Sequence, residues 1–209
     1  MYCPVKFAEN RLPILHELMR SHSLGMWTCW VDNQLVVNHI PFVLDETAGE
    51  FGTLHGHVAK ANPIWELINN DAVAVVVFQG PQSYITPSWY PSKLEHGKVV
   101  PTWNYAVVHA HGKPKVIRDK QWILNHVSTL SDEQEAGRKN PWKVSDAPED
   151  FTNKLANGIV GISIPIKTLD GRWKVSQNKT SADAMGVVAG LNENSAGFES
   201  AELVRKGMK

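Results

Sequence analysis

The chain has 209 residues, 43% of them hydrophobic and 20% charged, with 21 basic and 21 acidic side chains and a formal charge of zero. This describes one sizeable globular domain, or one domain with an appended piece, and argues against a broad electrostatic footprint for nucleic acid. Cys3 and Cys29, the only cysteines, exclude a disulfide framework and a cysteine-built zinc site, while the charged first twenty residues and an apolar run no longer than 72–78 predict neither signal peptide nor membrane span, hence a cytoplasmic protein.

In chain order, Leu12, Leu15, Leu18 and Met19 carry a helical apolar pattern. Residues 24–31 predict a buried strand, Asp32-Asn33 a turn, and 34–44 the returning strand of a hairpin. A polar turn at 45–50 leads to a third strand at 51–58. Residues 59–70 predict a short helix, interrupted at Asn62-Pro63 so that Asn62 caps a helix starting at Pro63. Residues 72–79 predict a central strand, with 83–86 continuing it or pairing beside it. Strand character resumes over 104–117, bent at Gly112 and Pro114. A helix capped by Asp119 is predicted over 119–138, and a shorter one over 148–157 from a signal at Asp146. Residues 158–166 and 171–177 predict a closing hairpin, and 181–191 and 200–206 helical tails. No strand–helix alternation of the parallel type appears, so about six mostly antiparallel strands with peripheral helices are expected.

The chain is organised around residues 84–117. Pro87, Pro91 and Pro101 predict a loop that is neither helix nor central strand. Trp89, Tyr90 and Trp103 nonetheless need burial, and residues 84–118 carry a net charge of +4. Two readings stand: a seat for a planar anionic ligand, or a rigid surface loop packed by its own aromatics.

Residues 56–62 sit at a strand-to-helix junction, where free backbone N–H groups and Lys60 together suit a phosphate. The alternative is a solvated lysine. His55 and His57 share a strand face, as do His109 and His111. Four imidazoles suit a metal, but no carboxylate lies near either pair in sequence, and polar barrel-lining histidines are the favoured account. His39 reads as a strand histidine with a polar partner. Trp173, Val175 and Gln177 alternate with Lys174, Ser176 and Asn178, and the amides of Gln177 and Asn178 suit the polar edge of a heteroaromatic ring. The bland reading is an edge strand blunted by charge. Nucleophile-elbow, Walker, dinucleotide and helix-turn-helix patterns are not found.

The runs GTLHGHVAKANPIW (52–65), VVFQGPQSYITPSWYPSKLEHGKVVPTWNYAVVHAHG (76–112), PWKVSDAPEDF (141–151) and RWKVSQNK (172–179) closely resemble the PaiB family of FMN-binding negative transcriptional regulators. The similarity runs from Met1 to about Leu191. It implies a mainly β protein with peripheral helices (α+β), an antiparallel FMN-binding split β-barrel like pyridoxamine-phosphate oxidase. Residues 1–191 would form the barrel domain and 192–209 a helical tail. The resemblance further implies a homodimer with FMN in grooves between subunits. Lys60 matches the phosphate lysine, the 86–90 loop lies along the flavin ring, and the 173–178 strand reaches in from the partner. The implied cofactor set is His39, His55, His57, Lys60, Asn62, Thr86, Ser88, Trp89, Trp103, Asn104, Lys174, Gln177 and Asn178. Repression with weak or indirect DNA association is the expected function. An FMN-dependent oxidoreductase on a small substrate, or a haem-binding split-barrel protein, is the alternative.

Overall fold

The computed structural model describes residues 1–193 and 197–208. Its elements in chain order are β1 (Ala8–Glu9), α1 (Leu12–Ser21), β2 (Leu24–Val31), β3 (Gln34–Pro41), β4 (Val43–Asp45), β5 (Thr53–Ala59) and α2 (Ile64–Leu67). There follow β6 (Val73–Ile85), α3 (Ser92–His96), β7 (Thr102–Gly112), β8 (Lys115–Ile117), α4 (Lys120–Glu135), α5 (Glu149–Ala156), β9 (Ile159–Lys174), α6 (Ser181–Leu191) and α7 (Phe198–Gly207). The hydrogen-bonded strand order is β3-β2-β6-β7-β9-β5-β4, with β1 and β8 each on β9. Pairs β2–β3, β2–β6, β4–β5, β5–β9, β1–β9 and β8–β9 are all antiparallel.

The chain divides into two units that share long strands: 1–15, 79–108 and 170–209 in one, 16–78 and 109–169 in the other. The second unit contains the hairpin β2–β3. Asp32 and Asn33 take φ of 48° and 56°, the left-handed pair that a two-residue turn between twisted strands requires. Trp27, Cys29, Phe42, Leu54, Val58, Val76 and Phe78 are buried there, with the Phe42 and Phe78 rings edge-on at 6.1 Å. Gly56 permits this packing: a Cβ at that position would lie 2.9 Å from Ile40 Cδ1 and 3.1 Å from Phe42. In the first unit, Ile85, Tyr90, Val175, Ala184, Val187, Val188, Leu191, Ala201 and Val204 form a core against which Trp89 and Trp173 pack.

Four expectations are corrected. The closing hairpin is instead the single 16-residue strand β9. Gly171, read as the first residue of its second strand, serves close approach, since a Cβ there would meet Leu15 Cδ2 at 2.3 Å and Glu9 O at 2.5 Å, where β1 pairs. The proline-rich segment is not free of helix. Pro87 opens a 3₁₀ turn over Pro87–Trp89 and Pro91 precedes α3, places where a missing N–H is harmless. The helix expected over 59–70 shrinks to the four residues of α2, although Asn62 Oδ1 does accept from Ile64 N–H at 3.1 Å. Nine strands stand among the described residues where about six were expected: bends at Phe42 and at residues 113–114 cut longer runs, and the two-residue β1 carried no strand signal. Within the expected tail 192–209, α7 begins at Phe198, while 194–196 and 209 lie outside the described residues.

Candidate functional site

The site residues expected from sequence fall into two groups, one in each unit. His39, His55, His57, Lys60 and Asn62 belong to the unit of β2–β5, and Thr86, Ser88, Trp89, Trp103, Asn104, Lys174, Gln177 and Asn178 to the other.

Lys60 follows β5 at the mouth of a cavity of about 240 Å³. Trp65, Arg118, Lys120, Ile123, Asn157 and Val160 also line it. The Arg118 guanidinium lies 4.9 Å over the Trp65 ring, and Trp65 Nε1 donates to Lys60 O at 3.0 Å. The pair therefore fixes the backbone that carries Lys60. No acidic side chain lines the cavity, and Lys60, Arg118 and Lys120 form no ion pair among the described residues. The first turn of the 16-residue α4 borders it, so the positive end of that helix dipole reinforces three cations. Asp119 caps the same turn, accepting from Trp122 N–H at 2.7 Å.

The backbone amides invoked at this junction are engaged. Lys60 N–H donates to Gly158 O at 2.8 Å, Asn62 N–H to Ala59 O at 2.9 Å, and Glu66 N–H to Pro63 O at 3.0 Å. Attraction for an anion thus comes from side chains, chiefly Lys60, Arg118 and Lys120. Sequence reading missed Trp65 and Lys120 here, and met Arg118 only as part of a charge count. A signal existed in the basic residues flanking the Asp119 cap. Asn62, which does not line the cavity, donates its Nδ2 to Asn38 Oδ1 at 2.7 Å, and Asn38 Nδ2 is a buried donor without a partner among the described residues. His39, one residue on, is exposed.

His55 and His57 do not line the barrel interior. On β5 it is Leu54, Gly56 and Val58 that are buried, and the two imidazoles face α4. His57 Nδ1 lies 3.0 Å from His126 Nε2, and His55 meets the edge of Trp122, whose ring stacks on His126. Burial lowers the pKa of His55 and His57. It pushes His126 down to about 4, with the neighbouring imidazoles adding to the effect. A carboxylate remote in sequence also arrives: Asp45 on β4 shares a cavity with His55. No cluster of metal-binding side chains forms among the described residues.

In the other unit the proline-rich loop docks on α6. Cβ atoms at Gly186 and Gly190 would meet Trp89 O at 2.0 Å and the Trp89 ring at 2.2 Å, so these glycines make the seat. Thr86 caps the 3₁₀ turn by accepting from Ser88 N–H at 3.2 Å, and Ser88 Oγ accepts from Lys93 Nζ. Trp103 is 54% exposed, edge-on to Tyr84 at 6.0 Å. Asn104 is buried, donates to Ser176 Oγ at 2.8 Å, and keeps an Oδ1 without a partner among the described residues. Lys174 donates to Thr102 Oγ1, and burial followed by repulsion from Arg172 and Lys179 lowers its pKa.

The alternation expected over 173–178 stops at Lys174, where β9 ends. Ser176 takes φ of 65°, so Val175 and Ser176 are both buried. Gln177 spends its amide on its own strand end, accepting from Val175 N–H and donating to Trp173 O. Asn178 is exposed. The basic character of 84–118 is likewise divided, with Lys93 and Lys98 in this unit and Lys113, Lys115 and Arg118 in the other.

Residues 1–168 match the family described as "Putative FMN-binding domain". An uncharacterised protein of Emericella nidulans is 34% identical over 99% of this chain and 97% of its own length. The Bacillus subtilis protease synthase and sporulation protein PAI 2 is 28% identical over 100% of this chain and 99% of its own. Among solved structures, the flavocytochrome Anf3 from Azotobacter vinelandii aligns with a TM-score of 0.57 at 12% identity, covering 80% of this chain and 69% of that one. The FAD and haem binding protein from Mycobacterium smegmatis aligns with a TM-score of 0.57 at 15% identity, covering 81% and 73%. The fold is the antiparallel split barrel.

Proposed function

The chain belongs to the PaiB family of FMN-binding domains, and from that membership we propose that the cavity of Lys60, Arg118 and Lys120 holds the phosphate of FMN and that the protein is a flavin-dependent negative regulator of transcription with an indirect output. FMN is the cofactor. The observation that carries the phosphate assignment is the convergence, on one cavity of about 240 Å³, of a helix N-terminus and three cations that form no ion pair among the described residues. A flavin phosphate carries close to two negative charges, as other phosphomonoesters do near neutral pH. The site matches that charge without a competing carboxylate.

Each unit carries features of its own that suit a flavin. In the unit of the phosphate cavity, the buried Nδ2 of Asn38 is a donor without a partner among the described residues; in the other unit, the buried Oδ1 of Asn104 is an acceptor without one, and the exposed indole of Trp103 is a surface for a planar ring. Bound FMN would supply one- and two-electron redox chemistry; the protein's part is to bind, orient and shield it. A homodimer belongs to the same proposal. Tyr84 and Trp103, with Leu94 and Val100 nearby in sequence, leave more apolar surface exposed than an isolated subunit tolerates well. A formal charge of zero supports an output through a partner, because tight DNA binding draws on phosphate neutralisation.

Quenching of flavin fluorescence tests the phosphate assignment. FMN is expected to bind about a hundredfold more tightly than riboflavin, which lacks the phosphate. Equal affinities would contradict it. In the same preparation, promoter DNA at physiological salt is expected to stay free, and a tight sequence-selective complex would overturn the indirect output.

A further inference from the structure

A second cavity, of about 350 Å³, lies between α4 and the short strand β4. One face of α4 supplies Trp122, Asn125, His126, Thr129 and Glu133, residues spaced by three or four along the helix. Val43, Leu44 and Asp45 of β4, with His55 of β5, form the opposite wall. The volume sits at the small end of the range for organic ligands, roughly 300–1,000 Å³. Nothing in the phosphate proposal uses this face of α4.

The lining has a consistent chemistry. Its carboxylates, Asp45 and Glu133, face no lysine or arginine among the lining residues. Asp45 is held as the anion by Thr47, whose hydroxyl and N–H donate to Oδ1 at 2.7 and 2.9 Å. Burial raises the pKa of Glu133; Arg20 opposes that from outside the lining while ion-paired to Glu46 and Glu17. His55 and His126 are neutral imidazoles at ordinary pH, because burial lowers both. They offer hydrogen bonds without positive charge. His55 Nδ1 is buried and has no hydrogen-bond partner among the described residues, an expensive condition that a ligand donor or acceptor would relieve. Trp122 presents the aromatic surface that binds cations best, locked by stacking on His126. Gly161 sets its seat: a Cβ there would lie 2.4 Å from Trp122 Cζ3. An anion is disfavoured by the carboxylates, and a neutral apolar guest would leave them and His55 unserved.

We propose that the α4–β4 cavity binds a small protonated amine with an apolar body, its ammonium held by Asp45 and Glu133 and its body against Trp122, Val43 and Leu44.

The probe is phenethylamine, with 2-phenylethanol as its uncharged analogue, added to the full chain and followed by the indole N–H resonances in a ¹⁵N correlation spectrum. Trp122→Phe identifies the Trp122 signal. Phenethylamine is expected to shift that signal saturably, and 2-phenylethanol to bind at least about tenfold more weakly. Glu133→Gln is expected to weaken phenethylamine several-fold while FMN affinity stays unchanged. Asp45→Asn should act in the same direction, and Glu133→Gln stands as the cleaner variant because Asp45 also holds the Thr47 turn. Equal affinity for the two probes, or no movement of Trp122 up to about 10 mM amine, a concentration that detects even very weak complexes, would overturn the proposal.

Discussion

Three histidines where β5 meets α4, His126 buried and His55 and His57 half-buried, link single side chains to the behaviour of the protein in acid. Burial holds His55, His57 and His126 below the ordinary imidazole value near 6.5, His126 at about 4. The unfolded chain therefore takes up protons at these sites before the folded protein does. Stability from this source is complete above about pH 6.5 and is lost as the pH falls toward 4. Urea midpoints measured from pH 7 down to about pH 4.5 are expected to decline, and His126→Gln, which keeps a hydrogen-bonding group beside His57, to flatten that slope. A flat profile in the wild type would show that these imidazoles are not held neutral by folding. None of this was legible in sequence, where the two His-x-His pairs read as polar barrel-lining histidines. Strand alternation placed His55 and His57 on one face, but it could not name α4 as what that face meets.

Elements were legible wherever local chemistry decides them. The limits of β2, the Asp32-Asn33 turn and the Asp119 cap of α4 follow from neighbouring residues. The misreadings arose where a residue answers to a distant contact. Gly171 read as the start of a returning strand and is a gap for Leu15; the prolines looked like helix breakers and begin helical turns. Gly186 and Gly190 gave no sequence signal, yet they let α6 close on Trp89. Gly186→Ala tests that seat. Helix propensity alone would stabilise the variant by about 1 kcal/mol. The new Cβ would, however, fall 2.0 Å from a backbone oxygen, and overpacking of this kind costs about 1–3 kcal/mol or more. The net change expected in chemical denaturation is destabilisation, and a variant more stable than wild type would mean that the Trp89 loop yields freely.

At the scale of the whole molecule, the family and the fold were legible from four long motifs, whereas the phosphate cavity was legible only through Lys60. Arg118 and Lys120 lie some sixty residues further along the chain and reach the cavity through β8 and the start of α4. Light scattering at micromolar concentration is expected to give twice the 23.3 kDa chain mass, and a mass of one chain would remove the homodimer from the proposal. The central claim is that FMN is held through its phosphate at Lys60, Arg118 and Lys120, and titration of Lys60→Ala with FMN and with riboflavin tests it most directly. Loss of one charge-assisted contact should weaken FMN by about 1.5–3 kcal/mol, roughly ten- to a hundredfold in Kd, and leave riboflavin almost unchanged. FMN affinity equal to wild type, or an equal loss for both flavins, would contradict the account.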